Sequence, residues 1–357
     1  MRDTIATNLT SDQVHACRKE FRMRHDIEFD SDGTTLRGWL YIPESGVAPH
    51  PAVVVTHGLG AVKEQYTDTI AENLANAGIA VILYDHPCFG ASDGLPRQEA
   101  DPVAQIQGYR NAITFLQSRS DIDSDRIGVF GSSFAGGHVL VVGAVDRRVK
   151  CVYAQVPVIS GGTSLSRFIN SEAMRGIRRM FDQDRLARFQ GAEPGVIPLI
   201  TEDPTAMAAM ADRETYAWYQ SIEPERLATW RNEITVRSIE LLSGYEPGDY
   251  IGRISPTPLL MVVAQQDILT HSDLAFAAYE RALHPKRLAI LPGGHFVVYN
   301  EEFAESQRLM TSFFLEHLTA GAACVPEQRM AHGPSAAVGA TGGFAQPDAA
   351  IPEGWEG

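Results

Sequence analysis

Short, fully apolar runs alternate along the chain with longer segments whose apolar residues recur at helical spacing. Such runs are typical of strands buried on both faces of a parallel sheet, and the segments between them are long enough to be crossover helices. The predicted strands are 52–56, 79–84, 127–130, 150–156, 258–264 and 287–291. The predicted helices are 66–77, 101–117, 134–145 and 302–318. This order predicts an α/β fold with a mostly parallel central sheet and helices on both faces.

A different pattern precedes this alternation. Residues 22–42 alternate moderately between apolar and polar side chains and contain the turn signal Asp30 to Gly33. A turn signal between two alternating segments predicts an antiparallel hairpin. We expect this hairpin to open the sheet.

The run from Arg126 to Gly137 joins a strand directly to a helix, with Ser133 at the junction. A serine held between small residues at a strand-to-helix turn is a nucleophile elbow, in which the strained turn exposes the hydroxyl above the sheet. The residues two before and two after the serine must be small, because any side chain there collides with neighbouring backbone. Gly131 and Ala135 meet this requirement.

Two other interpretations of this run exist. A Gly/Ser-rich loop that starts an ordinary helix has the same composition. Ser132 adjoins Ser133, but as nucleophile it would be flanked by Phe130 and Phe134, which are too bulky. The elbow therefore depends on whether partner residues follow in the right order.

Two partners follow at the ends of later strands. Asp267 comes just after the strand at 258–264, and His295 lies on a Gly-rich loop just after the strand at 287–291. The order Ser, Asp, His is the one that accompanies this elbow. Catalytic groups in open α/β sheets gather at the carboxyl ends of strands.

Four other residues compete for these roles and are weaker candidates. Asp273 lies where it would cap a helix, and His271 precedes the last strand, where the base is not expected. His138 falls inside the helix after the elbow, as a packed or surface histidine. His57 follows an early strand, where a structural role is the stronger expectation.

The chemistry requires this combination of side chains. A serine hydroxyl needs an adjacent base, which His295 would supply, and Asp267 would fix the imidazole tautomer and stabilise the imidazolium. The oxygen of the tetrahedral intermediate needs preset N–H donors. The backbone N–H of Phe134 is one candidate donor, and that of Leu59, in the loop after the strand at 52–56, is the other.

Five stretches resemble the α/β-hydrolase superfamily: His57 to Gly60, Tyr84 to Gly94, the elbow, Ser255 to Met261, and Leu291 to His295. Within it, the chain is most similar to the dienelactone-hydrolase-like group, which includes fungal polyketide acyltransferases and bacterial hydrolases. The resemblance spans about residues 22–320. It implies an α/β-hydrolase fold, a Ser-His-Asp mechanism through an acyl-enzyme, and no cofactor. It leaves the substrate open, since such relatives divide between hydrolysis and acyl transfer.

The alternation stops between residues 157 and 254, in a segment that is helical in pattern and richer in Met, Arg and aromatic residues. It follows the sixth strand of the core, where the resembled superfamily carries a lid, so we predict a helical lid there. Its helices are predicted at 165–181, 204–210, 214–221 and 224–242, and its loops at 191–198 and 243–248. The full organisation is an N-terminal segment 1–21, core 22–157, lid 158–254, core 255–320 and an Ala/Gly/Pro-rich tail 321–357.

The large side chains of the lid predict a largely apolar substrate. Trp218, Tyr219, Phe181 and Met180 are the candidate substrate contacts, although packing within the lid is the stronger expectation for any one of them. An arginine cluster at 175–188 is expected to be a solvated face. An acidic or CoA-linked substrate is the alternative that this cluster leaves open.

Composition narrows the partners. Apolar residues make up 44% of the 357 residues, enough for a large core, and the net charge is −14. Nucleic acid and anionic membranes both require clustered positive charge, so neither is an expected partner. Residues 1–20 lack the apolar centre of a signal peptide, and no run reaches the roughly 20 apolar residues of a membrane helix, so we expect a cytoplasmic protein. A homodimer is compatible with the sequence, and no feature requires it.

The cysteines support the same location. Cys17, Cys88, Cys151 and Cys324 are scattered, which indicates free thiols and no metal site. Cys88 follows a strand and could line the pocket, although a packed small residue is the stronger expectation. The composition of residues 321–357 predicts a flexible tail.

The leading functional hypothesis is a serine hydrolase that cleaves a carboxylic ester of a small to medium apolar molecule through an acyl-enzyme on Ser133. The same three residues could instead serve an acyltransferase, in which an alcohol or amine replaces water, or a carbon–carbon bond hydrolase. A non-catalytic binder on this scaffold is the weakest alternative, because Ser133, Asp267 and His295 are all present.

Overall fold

The computed structural model describes residues 24–44, 46–169 and 171–319. Its ten strands are β1 (Arg24–Ser31), β2 (Thr34–Tyr41), β3 (His50–Val55), β4 (Ala80–Tyr84), β5 (Ile122–Ser132), β6 (Val149–Gln155), β7 (Val196–Ile197), β8 (Ile234–Thr235), β9 (Leu259–Ala264) and β10 (Lys286–Leu291). Eight of them form one sheet in the order β1-β2-β4-β3-β5-β6-β9-β10, and β7 pairs with β8 separately.

Nine α-helices accompany the strands in the described residues: α1 (Thr67–Asn76), α2 (Pro102–Gln117), α3 (Phe134–Val145), α4 (Gly161–Phe168), α5 (Ser171–Phe189), α6 (Arg213–Gln220), α7 (Val236–Ser243), α8 (Ser272–Arg281) and α9 (Phe303–Thr319). Three 3₁₀ turns lie at Pro224–Leu227, Pro247–Arg253 and His295–Tyr299. The start of α2 follows from its sequence, since Asp101 accepts hydrogen bonds from Val103 N and Ala104 N and Pro102 is the first residue.

The sheet combines an antiparallel edge with a parallel centre. The predicted opening hairpin is β1 and β2, which pair in antiparallel register around a turn at Asp32 and Gly33. Gly33 has a φ of 88° there, and its N–H donates to Asp30 Oδ1 at 3.0 Å. β2 is antiparallel to β4 as well, whereas the pairs from β4 through β10 are parallel.

Each face of the sheet carries its own apolar layer. Along β9, Met261 and Val263 belong to one layer, and Leu260 and Val262 belong to the other, because successive side chains of a strand point to opposite faces. The first layer contains the buried sides of α2, α3 and α8, and the second contains those of α1 and α9. This confirms the predicted mostly parallel sheet with helices on both faces.

The segment between β6 and β9, residues 156–258, is called the insertion below. It contains α4 to α7 and the β7–β8 pair. The large buried side chains of the insertion, such as Phe181 and Trp218, join a third apolar cluster with Phe134 and Phe296 of the core. This third cluster lies at the edge of the sheet where β5 and β10 end.

Several predicted elements of the insertion were wrong. Residues 204–210 do not form a helix, because Asp203 Oδ1 accepts from Thr205 N in a local turn at 2.8 Å and Met210 N bonds to Leu199 O at 2.9 Å. The predicted helix at 165–181 is two helices, α4 and α5.

The predicted helix at 224–242 was also wrong. It is interrupted by β8, which pairs with β7 inside the predicted loop at 191–198. The helical part begins only after Thr235, whose side chain accepts from Ser238 N as an N-cap. The end of the predicted loop at 243–248 enters the 3₁₀ turn at Pro247–Arg253. For 204–210 and 224–242, a tertiary contact or a local cap replaced a helix that the apolar spacing favoured.

Some predictions fall outside the described residues: the N-terminal segment 1–21, the tail 321–357, Cys17 and Cys324. Cys88 and Cys151 are free thiols. Cys88 packs against the third apolar cluster, and burial raises the pKa of its thiol to about 11. Across the described ranges, no helix is both long and apolar enough to cross a membrane.

Candidate active site

Ser133 occupies a strained turn between β5 and α3. It has φ 60° and ψ −118°, a left-handed backbone conformation that residues with a side chain rarely adopt. The turn is so tight that a Cβ on Gly131 would lie 2.1 Å from the carbonyl oxygen of Ala135. Such strain persists only where surrounding structure holds it, and it is concentrated at functional sites.

The structure brings Ser133, His295 and Asp267 into one hydrogen-bonded row. His295 Nε2 lies 3.1 Å from Ser133 Oγ, and His295 Nδ1 lies 2.7 Å from Asp267 Oδ2. Since a carboxylate only accepts, Nδ1 carries the proton and Nε2 is free to accept from the serine hydroxyl. The three residues follow β5, β9 and β10, three strands that end at the same edge of the sheet.

Asp267 is held by its own loop. Its Oδ1 accepts from Leu269 N at 2.9 Å and Thr270 N at 3.0 Å, and its Oδ2 accepts from Thr270 Oγ1 at 2.8 Å. Burial raises the pKa of this carboxyl, but the His295 charge and these hydrogen bonds outweigh burial, so its pKa lies below the usual value. Asp267 is therefore ionised at neutral pH.

The imidazole of His295 is shifted in the opposite direction. Burial lowers its pKa, whereas the carboxylates of Asp267, Glu214 and Asp212 raise it, and the pKa is above the usual value. The imidazolium is thus stabilised by nearby negative charge. A base whose protonated form is stabilised takes a proton more readily.

Glu214 reaches this site from the insertion, on α6. Its Oε1 accepts from Phe296 N, next to His295, at 3.3 Å. A Cβ on Gly294 would lie 2.3 Å from Glu214 Oε1, so the carboxylate lies directly against the histidine loop. Sequence patterns alone could not identify Glu214, since it is far from His295 in the chain.

The competing residues have structural partners. His138 is fully buried between Tyr245 Oη and Gln105 Oε1, at 2.8 Å from each, and burial lowers its pKa to about 3. His271 precedes α8 with its ring 5.3 Å from that of Phe168. Asp273 forms an exposed ion pair with Arg167 at 2.7 Å.

The loop after β3 passes close to Ser133. A Cβ on Gly58 would lie 3.3 Å from Ser133 Cβ, so glycine permits this close approach. The backbone N–H groups of Leu59 and Phe134 have no backbone or side-chain acceptor within the part of the chain that the structure describes. Both N–H groups therefore remain candidates for the donor role that the sequence predicted.

A buried ion pair anchors this loop. Lys63 Nζ lies 2.7 Å from Asp85 Oδ2, Lys63 N donates to Asp85 Oδ1 at 2.9 Å, and Ala91 N donates to Asp85 Oδ2 at 2.9 Å. Removing one partner of a buried pair costs about 3–5 kcal/mol, because the other charge is left unpaired. His57 belongs to the same structural group, as its Nε2 accepts from His86 N at 3.2 Å.

A cavity of about 50 Å³ opens beside Ser133 and is called the active-site cavity below. The core lines it on the side of Ser133, and the insertion contributes Met210, Trp218 and Tyr219. Trp218 and Tyr219, two of the candidate substrate contacts predicted from the sequence, thus line this cavity. Met180 and Phe181 are not among the described residues that line the cavity, because both pack in the third apolar cluster.

Sequence reasoning missed several cavity residues. They are Ala61, Gln65, Thr67, Phe296 and Tyr299, and Ser132 as a wall residue. Phe296 and Tyr299 could have been suspected from their closeness to His295 in sequence. Ser132 hydrogen-bonds to the Tyr299 hydroxyl and accepts from Gln155 Nε2 at 3.2 Å, so its hydroxyl is paired with these two groups and not with an imidazole.

Among the described residues, no group of three or more His, Cys, Asp or Glu side chains is arranged to hold a metal ion. The arginines Arg175, Arg178 and Arg179 of α5 are exposed, and Arg188 pairs with Asp184 at 2.8 Å. None of these four arginines is among the described residues that line the active-site cavity.

Comparison with known proteins identifies the family of this chain. A model of the alpha/beta hydrolase family matches residues 53–306. A thiohydrolase of Eupenicillium brefeldianum is 28% identical over 84% of this chain and 96% of its own length. Polyketide transferase af380 of Aspergillus fumigatus is 29% identical over 83% and 99%.

A solved structure shows the same architecture. The alpha/beta hydrolase GrgF from Penicillium sp. sh18 superposes with a TM-score of 0.72 at 28% identity, covering 83% of this chain and 99% of that protein. The fold, the strand-end site and these matches together establish that the chain belongs to the alpha/beta hydrolase family.

Proposed function

We propose that this protein is a serine hydrolase that cleaves a carboxylic ester or thioester through an acyl-enzyme on Ser133. The observation that carries the proposal is the row formed by Ser133 Oγ, His295 and Asp267, with contacts of 3.1 and 2.7 Å. The name of the Eupenicillium relative, thiohydrolase, supports including thioesters alongside esters.

In the first half of the proposed reaction, His295 Nε2 takes the proton of Ser133 Oγ as the oxygen attacks the carbonyl carbon. The oxygen of the tetrahedral intermediate is held by the N–H groups of Leu59 and Phe134. The bond to the leaving group then breaks, and His295 gives its proton to the departing alcohol or thiol. Asp267 holds the imidazole orientation and stabilises its charge.

In the second half, His295 takes a proton from water, and the water oxygen attacks the acyl carbon of the acyl-enzyme. The bond to Ser133 Oγ breaks, the acid is released, and Ser133 regains its proton from His295. Preset donors of this kind contribute about 3 kcal/mol each to catalysis in related chemistry.

A Ser133→Ala variant tests this proposal. We expect kcat for p-nitrophenyl esters of graded chain length to fall by about 10⁵-fold or more, because nucleophile and base act as a unit. Ser118→Ala, an exposed serine whose hydroxyl donates to Phe115 O, is the matched control and should keep full activity. A folded Ser133→Ala protein with near-normal ester turnover would exclude the proposed nucleophile.

Acyl transfer is the second candidate function. It is supported by the polyketide transferase of Aspergillus fumigatus, which matches 83% of this chain, and by the small, largely apolar cavity, which limits the water that competes with another acceptor. Product analysis with added alcohols and amines separates the two functions. Transfer products that exceed the free acid at millimolar acceptor would favour the transferase.

A further inference from the structure

Two residues that line the active-site cavity carry a buried side-chain N–H group with no acceptor among the described residues. The groups are the Gln65 carboxamide and the Trp218 indole. Gln65 exposes only 3% of its surface, and Trp218 exposes 7%. Roughly 90% or more of buried polar groups in proteins are hydrogen-bonded, so unpaired donors that line a cavity point to a ligand.

The free end of Gln65 is its NH₂ group. Gln65 Oε1 accepts from Val62 N at 3.0 Å, and because an N–H must meet an acceptor, the oxygen of the amide faces Val62. Gln65 N also donates to Val62 O at 3.0 Å. The side chain is therefore held by a tight turn of the loop after β3, and its Nε2 donor is left without a partner among the described residues.

These donors exceed what the oxyanion needs. The backbone N–H groups of Leu59 and Phe134 are the two donors assigned to the oxygen of the attacked carbonyl. Gln65 Nε2 and Trp218 Nε1 come in addition and belong to different elements, the loop after β3 and helix α6. Additional donors in a buried site call for a second oxygen on the substrate, because leaving them unpaired is unfavourable.

We infer that Gln65 is a specificity-determining residue whose Nε2 donates a hydrogen bond to a second oxygen on the acyl chain of the substrate. Trp218 Nε1 is a further donor for the same acyl chain. The inference rests on the proposed function. The acyl chain is favoured over the leaving group because it stays on Ser133 after the first step, enclosed with the deeply buried Gln65.

Because the cavity is small, we place this oxygen near the attacked carbonyl. A cavity of about 50 Å³ holds few heavy atoms, given that one water-sized site takes ~10–15 Å³. An oxygen on the third carbon of the acyl chain, as in a 3-oxoacyl ester or thioester, fits this limit.

Two thioesters of N-acetylcysteamine test the inference, the 3-oxobutanoyl and the butanoyl compound, which differ in that single oxygen. The measured quantity is the ratio of their kcat/KM values. Gln65→Glu keeps an acceptor for Val62 N but removes the donor, and Gln65→Met removes both. We expect the ratio to fall about 10-fold or more in each variant, the range for one buried hydrogen bond.

Two further variants complete the design. Trp218→Phe keeps the ring that stacks on Phe296 at 4.7 Å and removes only the indole N–H, so we expect a smaller fall in the ratio. Gln107→Met on α2, outside the cavity, is the matched control and should leave the ratio at the wild-type value.

The outcomes separate the inference from the proposed function. A wild-type ratio in both Gln65 variants overturns the inference, and so does an equal loss on both thioesters, which would make Gln65 an oxyanion donor or a purely structural residue. The butanethiol thioester of the same acyl group tests the leaving group. If the loss of kcat/KM in the Gln65 variants depends on which thiol leaves, the inference is also overturned. If wild-type protein cleaves neither thioester nor any p-nitrophenyl ester, the proposed function itself fails, and the inference fails with it.

Discussion

The core of the molecule and the insertion bury their side chains very differently. In the core, every residue of β3, β4 and β9 is buried. In the insertion, large apolar side chains stay exposed, including Phe168, Leu186, Phe189, Val196 and Met207. The central strands of the core are thus packed on both faces of the sheet, whereas the insertion leaves several large apolar side chains exposed.

The two regions also divide the site between them. The core supplies Ser133, His295 and Asp267 from the ends of three strands, and the insertion supplies the wall with Met210 and Trp218. Reacting groups need positions held within a few tenths of an ångström, which strand ends in a packed sheet provide. A substrate wall needs less precision. In the proposed function, the core therefore carries out the chemistry and the insertion contributes to substrate recognition.

Among the tests of this comparison, the largest effect is expected for the core carboxylate. Asp267→Asn should lower kcat by about 10⁴-fold, because the amide favours the wrong tautomer of His295. Measured ester turnover, together with a circular dichroism spectrum, checks this. The variant should remain folded, since asparagine keeps an oxygen for the N–H groups of Leu269 and Thr270. Turnover within 10-fold of wild type would mean that Asp267 does not hold the imidazole.

A pair of methionines tests the difference in packing. Met261, fully buried in β9, should lose about 2–5 kcal/mol of unfolding free energy on change to alanine. Met210, half-buried in the insertion, should lose about 1 kcal/mol or less. Urea unfolding midpoints measure both losses. Equal losses would show that the insertion packs as tightly as the core.

The smallest effect is expected for the insertion carboxylate, Glu214. The raised pKa of His295 means that activity is lost as pH falls through that value, since the protonated imidazole cannot accept the serine proton. Glu214→Gln removes one negative charge that raises this pKa, so the acid limb of kcat/KM should move to lower pH. The amide keeps an oxygen for Phe296 N.

The pH profile of kcat/KM measures this shift, and Glu225→Gln in the same insertion is the control, because Glu225 is not among the groups that shift the His295 pKa. If the acid limb of the kcat/KM profile of Glu214→Gln stays in place or moves to higher pH, Glu214 does not act electrostatically on His295.

Sequence patterns were informative to different degrees in the two regions. The core strands could be predicted because their apolar runs are buried on both faces and follow local rules. The mixed pattern of 204–210 and 224–242 was misread, because Asp203 closes a local turn, Thr235 caps the later start of α7, and β7 pairs with β8 only in the folded chain.

By itself, the sequence determined the parallel sheet, the elbow at Ser133 and the order in which Asp267 and His295 follow it. These features depend on short-range geometry: strand periodicity, small residues at a tight turn, and polar residues just past strand ends. Only the tertiary structure decided which distant groups face the site, namely Glu214 against the histidine loop and Gln65 and Trp218 in the cavity wall. Their roles depend on which loops and helices meet in space, and contacts between residues far apart in the chain leave no periodic signal in one sequence.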